Sequence, residues 1–290
     1  MGCFMKEVYG VIGGSEAYNL LRDGVFSLDR KFDVKTPFGD VRLFKVRKGN
    51  ISIFFLSRHG EKRYSVIPSF VNYRANIYAL KEVGVTRIFA WSGPGAMNLN
   101  LKIGEIVLPM DLIDETKRRD YTFFEKGGLG FIRSNPLFCE DLRSGVEEFF
   151  SKRGEKIRGN LVYVCTEGPR LETAAEIKKF KLFGGDLVGM TLSPEVFLAR
   201  ELEMCYCPIC YITNYAEGVV KRDYSPSLLF GGMLEKNKFK LLRESVKSIV
   251  DAIFGAIEIL NKRERICFCH RNMERYRLNG IIGEDWHTWF

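Results

Sequence analysis

The chain has 290 residues, of which 46% are hydrophobic and 28% charged, so it can bury the core of one large α/β domain. Its net charge of +8 suits an anionic ligand such as phosphate, but the basic residues are dispersed and predict no nucleic-acid partner. No apolar run is long enough to span a bilayer, and the N-terminus does not resemble a secretion signal. We therefore expect a cytoplasmic protein with no membrane partner.

Short β-rich segments alternate with longer helical segments along the chain. Strands are predicted over 8–12, 41–46, 51–56, 87–90, 105–108, 161–165, 187–190 and 208–213. Helices are predicted over 17–21, 72–83, 137–152, 173–183, 194–203 and 227–260, and the polar, Gly-rich segment 114–135 is predicted to be a mobile loop. This alternation, without repeats or linkers, predicts an α/β fold whose ligand site is built from polar loops at strand ends.

Two polar loops follow predicted strands near the start of the chain. Gly13 and Gly14 let backbone N–H groups approach an anion, and Ser15 adds a hydroxyl, although a tight turn explains the same residues equally well. Arg58 ends another strand and presents a planar fork of donors that suits phosphate. His59 beside it is either a base or a packing histidine with satisfied hydrogen bonds. Both loops are candidate phosphate sites.

Two further candidates lie later in the chain. Glu172 precedes a predicted helix that Thr173 caps with Glu176 three residues on, and the exposed N–H groups there favour a carboxylate. Asn214 follows a buried strand, where its amide can donate and accept hydrogen bonds, although asparagine is also an ordinary turn residue. With only three histidines, the chain has no histidine-rich metal site, and no Ser-His-Asp arrangement is evident.

The eight cysteines form two groups of interest. Cys205, Cys207 and Cys210 are either metal ligands or small buried residues of a strand, and the apolar residues that follow them favour the strand. For Cys267 and Cys269, metal binding, a disulfide and plain thiols all remain open. No metal site is predicted.

The ordered set of motifs resembles the trimeric nucleoside phosphorylases, the family that contains methylthioadenosine phosphorylase and purine nucleoside phosphorylase. The matching segments are GVIGGS at 10–15, RHG at 58–60, VNYRANI at 71–77, SGPGA at 92–96, EGPRLET at 167–173 and VGMTLSPE at 188–195. The resemblance implies a single α/β domain over 1–265, with a central mixed twisted β-sheet flanked by helices. Residues 266–290 would form a C-terminal extension, whose Cys-x-Cys pair resembles one in some thermostable members.

The resemblance also implies a reaction and a set of site residues. The reaction is phosphorolysis of a purine nucleoside to free base and ribose 1-phosphate, with inorganic phosphate as co-substrate and no cofactor. Asn214 would be the catalytic donor to the purine, and a homotrimer or dimer of trimers is implied, with a neighbour's residue closing each site. The site residues implied are Ser15, Arg58, His59, Ser92, Gly93 and Thr191 for phosphate, Leu171, Glu172 and Asn214 for the base, Met190 for the ribose, and Ser227 and Phe230 for the 5′ pocket.

Glu172 and Asn214 are typical of family branches that act on inosine and guanosine, so a 6-oxopurine substrate is implied. Phe230 favours a 5′-methylthio group, as in methylthioinosine, whereas Ser227 tolerates a 5′-hydroxyl, and the choice is open. Leu171 departs from the family's usual Phe, and a second histidine that the family carries after the RHG run is absent. The alternatives are a methylthioadenosine phosphorylase, a nucleoside-binding protein that has lost catalysis, and, more distantly, a zinc-binding module.

Overall fold

The computed structural model describes residues 7–14, 17–61, 65–221 and 236–290. Eleven strands of this part of the chain form one sheet. They are β1 (Tyr9–Gly13), β2 (Ser27–Val34), β3 (Val41–Lys48), β4 (Ile51–Ser57), β5 (Arg87–Ser92), β6 (Gly95–Ala96), β7 (Ile106–Glu115), β8 (Arg158–Thr166), β9 (Leu187–Gly189), β10 (Cys205–Tyr211) and β11 (Asn214–Tyr215). The α-helices are α1 (Ala17–Arg22), α2 (Tyr73–Glu82), α3 (Glu140–Lys152), α4 (Ala174–Leu182), α5 (Glu195–Glu201), α6 (Lys236–Leu260) and α7 (Glu274–Leu278).

The sheet mixes parallel and antiparallel strands in the order β11-β6-β9-β8-β7-β10-β5-β1-β4-β3-β2. Strand β1 lies parallel between β4 and β5, and β5 is parallel to β10. Strand β10 is antiparallel to β7, and β6 is antiparallel to β9. Helices α2 and α5 share one apolar cluster with the sheet, whereas α3 and α6 share another. The predicted single α/β domain with a mixed sheet flanked by helices is confirmed.

Most predicted elements form close to their expected positions. Strands β3 and β4 make the predicted hairpin. The Thr173 side chain accepts a hydrogen bond from Glu176 N–H, and the Glu176 side chain accepts one from Thr173 N–H, which completes the predicted capping box of α4. Strand β10 begins at Cys205, three residues before the predicted start, and β7 extends to Glu115. The part of the last long helix predicted over 227–235 falls outside the described residues.

The sequence pattern does not predict β2, β6, β11 or α7. Strand β2 is the edge of the sheet and is exposed along most of its length, so it shows no apolar alternation. Strands β6 and β11 have two residues each, which is too short for any periodic pattern. Both short strands nevertheless matter, because β11 carries Asn214.

The segment after α6 packs on the body of the domain. Arg277 pairs with Glu203 through two hydrogen bonds of 2.8 Å, and Asn272 Nδ2 donates to the carbonyl oxygen of Arg200 over 3.0 Å. The Trp286 ring lies edge-on to Tyr78 with centroids 4.8 Å apart. The division into 1–265 and 266–290 stays a prediction. Within the described residues, no helix combines the length and apolar character that crossing a membrane requires.

Candidate active site

A glycine turn leaves β1 and packs tightly against its neighbours. A Cβ atom on Gly13 would lie 2.4 Å from the Cβ of Ala17, and one on Gly14 would lie 2.8 Å from the carbonyl oxygen of Trp91. Both positions therefore exclude larger residues, which explains the glycines that the sequence places here. Ser15, the next residue and a predicted phosphate ligand, lies outside the described residues.

Arg58 follows β4 and forms a buried bidentate ion pair with Glu195. Its Nε and Nη2 donate to the two Glu195 carboxylate oxygens over 2.7 and 2.6 Å, and Nη1 donates to the Trp91 carbonyl oxygen over 3.1 Å. Burial alone would lower the pKa of Arg58, but the Glu195 carboxylate raises it above its ordinary value. These contacts use three of the five guanidinium N–H groups, so Arg58 is a fixed cation beside the glycine turn.

Two predicted phosphate ligands meet although they are far apart in the sequence. Ser92 ends β5 and Thr191 follows β9, and their hydroxyl oxygens lie 3.1 Å apart. The Ser92 hydroxyl also lies 3.1 Å from the Tyr163 hydroxyl. Gly93 comes next, and a Cβ atom there would lie 2.6 Å from Cγ2 of Thr213. The pair of hydroxyls and the adjoining glycine loop can bind the oxygens of one anion together.

His59 is buried in a defined tautomer. Its Nδ1 lies 2.9 Å from the carbonyl oxygen of Val66, and because a carbonyl only accepts, Nδ1 carries the proton. Burial and, second, the charge of Arg58 lower the pKa of His59 to about 4, against the opposing effect of the bond to Val66. The imidazole is therefore neutral at pH 7, and its Nε2 is an acceptor.

Glu172 is buried in the loop between β8 and α4, and Thr166 fixes its carboxylate. The Thr166 hydroxyl donates to Glu172 Oε1 over 2.5 Å and lies 3.4 Å from the carbonyl oxygen of Gly189. Glu172 is only 8% exposed, so its charge is largely withdrawn from water. Leu171 beside it is half-buried. A buried carboxylate with one oxygen anchored in this way is suited to accept a hydrogen bond from a ligand.

Asn214 presents its amide in one orientation. Its Nδ2 donates to the carbonyl oxygen of Tyr215 over 2.8 Å, and its Oδ1 accepts from the Thr213 hydroxyl over 2.7 Å. The Tyr215 carbonyl oxygen can only accept, so the atom beside it must be nitrogen. The Thr213 hydroxyl also lies 3.2 Å from the carbonyl oxygens of Gly93 and Pro94. Thr213 thus joins the Asn214 amide to the loop that follows Ser92.

The sheet connects the candidate phosphate and base residues. Asn214 pairs with Gly95 across β11 and β6, and Gly95 pairs with Val188 across β6 and β9. Strand β9 lies parallel to β8 and ends beside Thr166, the partner of Glu172. The four neighbouring strands β8, β9, β6 and β11 therefore bring the candidate residues together. Thr166, which binds Glu172, ends β8, and Met190 and Thr191 follow β9. Ser92 and Gly93 precede β6, and Asn214 lies in β11.

The backbone of Met190 is held by Arg119, a residue that no sequence pattern indicated. Arg119 Nη1 donates to the Met190 carbonyl oxygen over 2.8 Å, and its Nη2 donates to the carbonyl oxygens of Thr166 and Glu167 over 3.1 and 2.7 Å. The Tyr73 hydroxyl donates to the Pro68 carbonyl oxygen over 3.0 Å and lies 3.5 Å from the Met190 carbonyl oxygen. Arg119 is buried although it lies in the segment predicted to be a mobile loop, and with Tyr73 it lines a cleft of about 410 Å³.

Other predicted residues lie elsewhere. Ser227 and Phe230, predicted for the 5′ pocket, are outside the described residues. Cys207 and Cys210 are buried in β10, as the strand interpretation predicts. Cys205 differs from them, because its sulfur lies in a cluster with three other cysteine sulfurs, those of Cys139, Cys267 and Cys269. Cys205 is buried in the same strand, as predicted, and its proximity to the other three sulfurs has no spacing signature because these cysteines come from distant segments.

Comparison with known proteins gives consistent matches. Residues 8–254 match a family described as the phosphorylase superfamily. A 6-oxopurine nucleoside phosphorylase of Pyrococcus furiosus is 38% identical over 266 residues, which covers 89% of this chain and 95% of that protein. A probable S-methyl-5′-thioinosine phosphorylase of Methanopyrus kandleri is 39% identical, with 93% of this chain and 98% of the relative covered.

Solved structures match the same fold. A methylthioadenosine phosphorylase from an antarctic soil metagenomic library superposes with a TM-score of 0.80 at 25% identity, covering 96% of this chain and 99% of the other. The methylthioadenosine phosphorylase of Schistosoma mansoni in complex with adenine gives a TM-score of 0.79 at 25% identity, with 94% and 97% covered.

Proposed function

The chain belongs to the phosphorylase superfamily, and from that membership we propose that it catalyses phosphorolysis of 6-oxopurine nucleosides. The products are the free purine and ribose 1-phosphate, or its 5-methylthio analogue. The observation that carries the substrate class is the buried Glu172 carboxylate, anchored by Thr166, together with the oriented amide of Asn214. Relatives named for 6-oxopurine nucleosides and methylthioinosine support the same class.

Phosphate is the nucleophile in this reaction, so the enzyme needs neither a covalent nucleophile nor a cofactor. The hydroxyls of Ser92 and Thr191, the backbone at Gly93 and the Arg58 cation would hold it, with Ser15 as a further predicted ligand. His59 is neutral with its proton on Nδ1, so its predicted contact is with a protonated phosphate oxygen. Holding phosphate beside the anomeric carbon converts a bimolecular step into an effectively unimolecular one.

The purine acquires negative charge as the glycosidic bond breaks. One N–H of the Asn214 amide is used by Tyr215, and the second would donate to the purine at N7 and O6. A donor aimed at a site of developing charge stabilises the transition state more than the ground state. Asn214 is therefore the proposed catalytic residue, with Met190 packing against the ribose and Leu171 against the base.

Glu172 distinguishes 6-oxopurines from 6-aminopurines. A 6-oxopurine carries a proton on N1, which the free Glu172 oxygen would accept, whereas adenine presents a lone pair that the carboxylate would repel. Losing a required hydrogen bond in a buried site changes selectivity by roughly ten-thousandfold. A methylthioadenosine phosphorylase, the name carried by the matching solved structures, is the rival assignment that this contact opposes.

The test is base release from inosine, guanosine, methylthioinosine, adenosine and methylthioadenosine, each with and without phosphate. We expect phosphate-dependent release from the three 6-oxopurine nucleosides and release at least a thousandfold slower, by kcat/KM, from the two adenine nucleosides. Faster cleavage of methylthioadenosine would overturn the substrate class. Absence of release from every nucleoside would favour a binding protein without catalysis. The ratio of inosine to methylthioinosine turnover decides the 5′ group.

The proposal includes a cytoplasmic homotrimer or dimer of trimers, as family resemblance implies. Light scattering on the eluting peak of a sizing column measures the mass in solution, and a multiple of three chains of 33.3 kDa is expected. A monomeric active enzyme would contradict the idea that a neighbour's residue closes each site.

A further inference from the structure

Four cysteine sulfurs converge on one point of the fold. Cys139 precedes α3, Cys205 begins β10, and Cys267 and Cys269 follow α6. All four Sγ atoms lie within 4.8 Å of one another, and those of Cys205 and Cys267 are 3.4 Å apart. The backbone N–H of Cys139 donates to the carbonyl oxygen of Tyr206 over 2.9 Å, which holds the first two segments together. Three of the four cysteines are buried, and Cys267 is half-buried.

These distances match tetrahedral metal coordination better than covalent pairing. Zinc–thiolate bonds of about 2.3 Å place the sulfurs of a regular tetrahedron about 3.8 Å apart. The Cys205–Cys267 separation of 3.4 Å is slightly shorter than that value and no pair exceeds 4.8 Å, so small side-chain movements would close the site. A disulfide requires about 2.05 Å, and the four residues carry thiols rather than disulfides in this structure.

The surrounding charges also suit a group of thiolates. Arg265 donates from Nη2 to Cys205 Sγ over 2.8 Å and from Nε to Cys267 Sγ over 3.2 Å. Arg87 pairs in register with Cys205 on the adjacent strand, and its buried Nε has no hydrogen-bond partner among the described residues. A zinc ion with four thiolates carries a net charge of −2, and Arg265, which also contacts Glu7 over 3.4 Å, donates directly to two of its sulfurs, whereas Asp141 and Glu7 balance the charge of Arg87.

We propose that Cys139, Cys205, Cys267 and Cys269 bind one structural Zn²⁺ ion. Binding forms four Zn–S bonds and releases four thiol protons to solvent. Because the protein fills all four positions, no position remains for water or substrate, and the ion has a structural role. The ion would fasten the segment that follows α6 to α3 and β10. Its site lies outside the residues proposed for phosphorolysis, so either assignment can fail without the other.

The first experiment measures zinc in the full-length protein, purified under reducing conditions and then offered Zn²⁺. We expect about one zinc per chain in the wild type and a loss of stoichiometric zinc in Cys267→Ala and Cys269→Ala. The matched control is Cys207→Ala, which removes a buried thiol of β10 that is not in the cluster and should leave zinc content unchanged. Zinc that persists in the Cys267 and Cys269 variants would overturn the proposal.

Cobalt provides a second readout that does not depend on the stability of the variants. Co²⁺ added to the metal-free wild type should give the visible bands and thiolate charge transfer of a tetrahedral sulfur site, and Zn²⁺ should abolish them. A chelator should lower the Tm of the zinc-loaded wild type and of Cys207→Ala, but not that of Cys269→Ala. A reduced protein that takes up neither ion, a mass showing disulfides within the cluster, or iron in place of zinc would each overturn the assignment.

Discussion

The Glu195 carboxylate accepts two hydrogen bonds from the Arg58 guanidinium, of 2.6 and 2.7 Å, and neither side chain is exposed to solvent. The Tyr206 hydroxyl donates a third bond of 2.6 Å to the same carboxylate. Glu195 therefore balances a buried cation at the place where a phosphate ligand is proposed. It positions the guanidinium without being proposed to touch the substrate.

Glu195→Gln should destabilise the protein, because Arg58 would remain buried without its counter-charge. Breaking such a pair costs about 3–5 kcal/mol, and KM for phosphate should rise more than KM for nucleoside. Urea unfolding and steady-state kinetics measure both effects. The control is Glu147→Gln, whose partner Arg143 lies on the same helix and whose side chain is 48% exposed, so a cost below about 1 kcal/mol is expected. Equal costs for the two variants would contradict the role assigned to Glu195.

Glu172→Gln should reduce discrimination between oxo- and aminopurines. The amide keeps the shape of the side chain but loses the charge that accepts N1–H and repels adenine. We expect kcat/KM for inosine to fall by roughly a hundredfold and the ratio of adenosine to inosine turnover to rise. Glu176→Gln is the comparison, since that carboxylate pairs with Arg170 on the surface and caps α4. An unchanged substrate ratio in Glu172→Gln would remove Glu172 from the base site.

Thr166→Val tests whether the hydroxyl positions Glu172. Hydrogen bonds to a charged group contribute about 1.5–3 kcal/mol, so a loss of roughly tenfold to a hundredfold in kcat/KM for inosine is expected. Thr166→Ser keeps the donor and should retain most of the activity. Because valine keeps the methyl group of threonine and loses only the hydroxyl, a valine variant as active as the wild type would show that the hydroxyl does not position Glu172.

Asn214→Ala removes the proposed donor to the leaving purine. Deleting one donor aimed at developing charge costs about a hundredfold to a thousandfold in kcat, and KM should change little. Single-turnover base release separates the chemical step from product release. A variant that binds inosine weakly but releases base at the normal rate once saturated would show that Asn214 serves only binding.

The stability of the protein should depend on His59 at mildly acid pH. Its folded pKa of about 4 lies below the unfolded value near 6.5, so protonation favours the unfolded chain. The stability present above pH 6.5 is lost as the pH falls towards 4. Between pH 7.5 and pH 5, His59→Asn should lose about 2 kcal/mol less than the wild type. Urea titrations in phosphate-free buffer measure this difference, and parallel pH curves would contradict it.

Much of the fold follows from local patterns, whereas the site depends on contacts that are remote in the sequence. The capping box at Thr173 and the hairpin of β3 and β4 need only neighbouring residues, and both form as predicted. Arg119 is an isolated arginine in a polar segment, and nothing local indicates that its guanidinium will bind the carbonyl oxygens at the ends of two strands, β8 and β9. From the sequence alone, Glu195 is an ordinary acidic residue in the first turn of a helix. Its partner Arg58 is 137 positions away, so no local pattern indicates the pair.

The cysteines illustrate the same limit. The spacing of Cys205, Cys207 and Cys210 suggests one group, and all three are buried in β10, but only the Cys205 sulfur lies in the four-cysteine cluster. Cys205 lies at the start of β10, and its sulfur contacts that of Cys267, which follows α6 and is 62 positions later in the sequence. A quartet drawn from three separate segments has no spacing signature, so only the folded chain reveals it.

Thr213 has one hydroxyl proton and three oxygen neighbours, the Asn214 amide oxygen and the carbonyl oxygens of Gly93 and Pro94. If the Gly93-Pro94 loop shifts on phosphate binding, the Thr213 hydroxyl changes its distances to these carbonyl oxygens. The strength of its hydrogen bond to the Asn214 amide oxygen then changes as well. Such a connection is a free-energy linkage between two ligands, and linkage is reciprocal. The factor by which phosphate changes the affinity for purine must therefore equal the factor by which purine changes the affinity for phosphate.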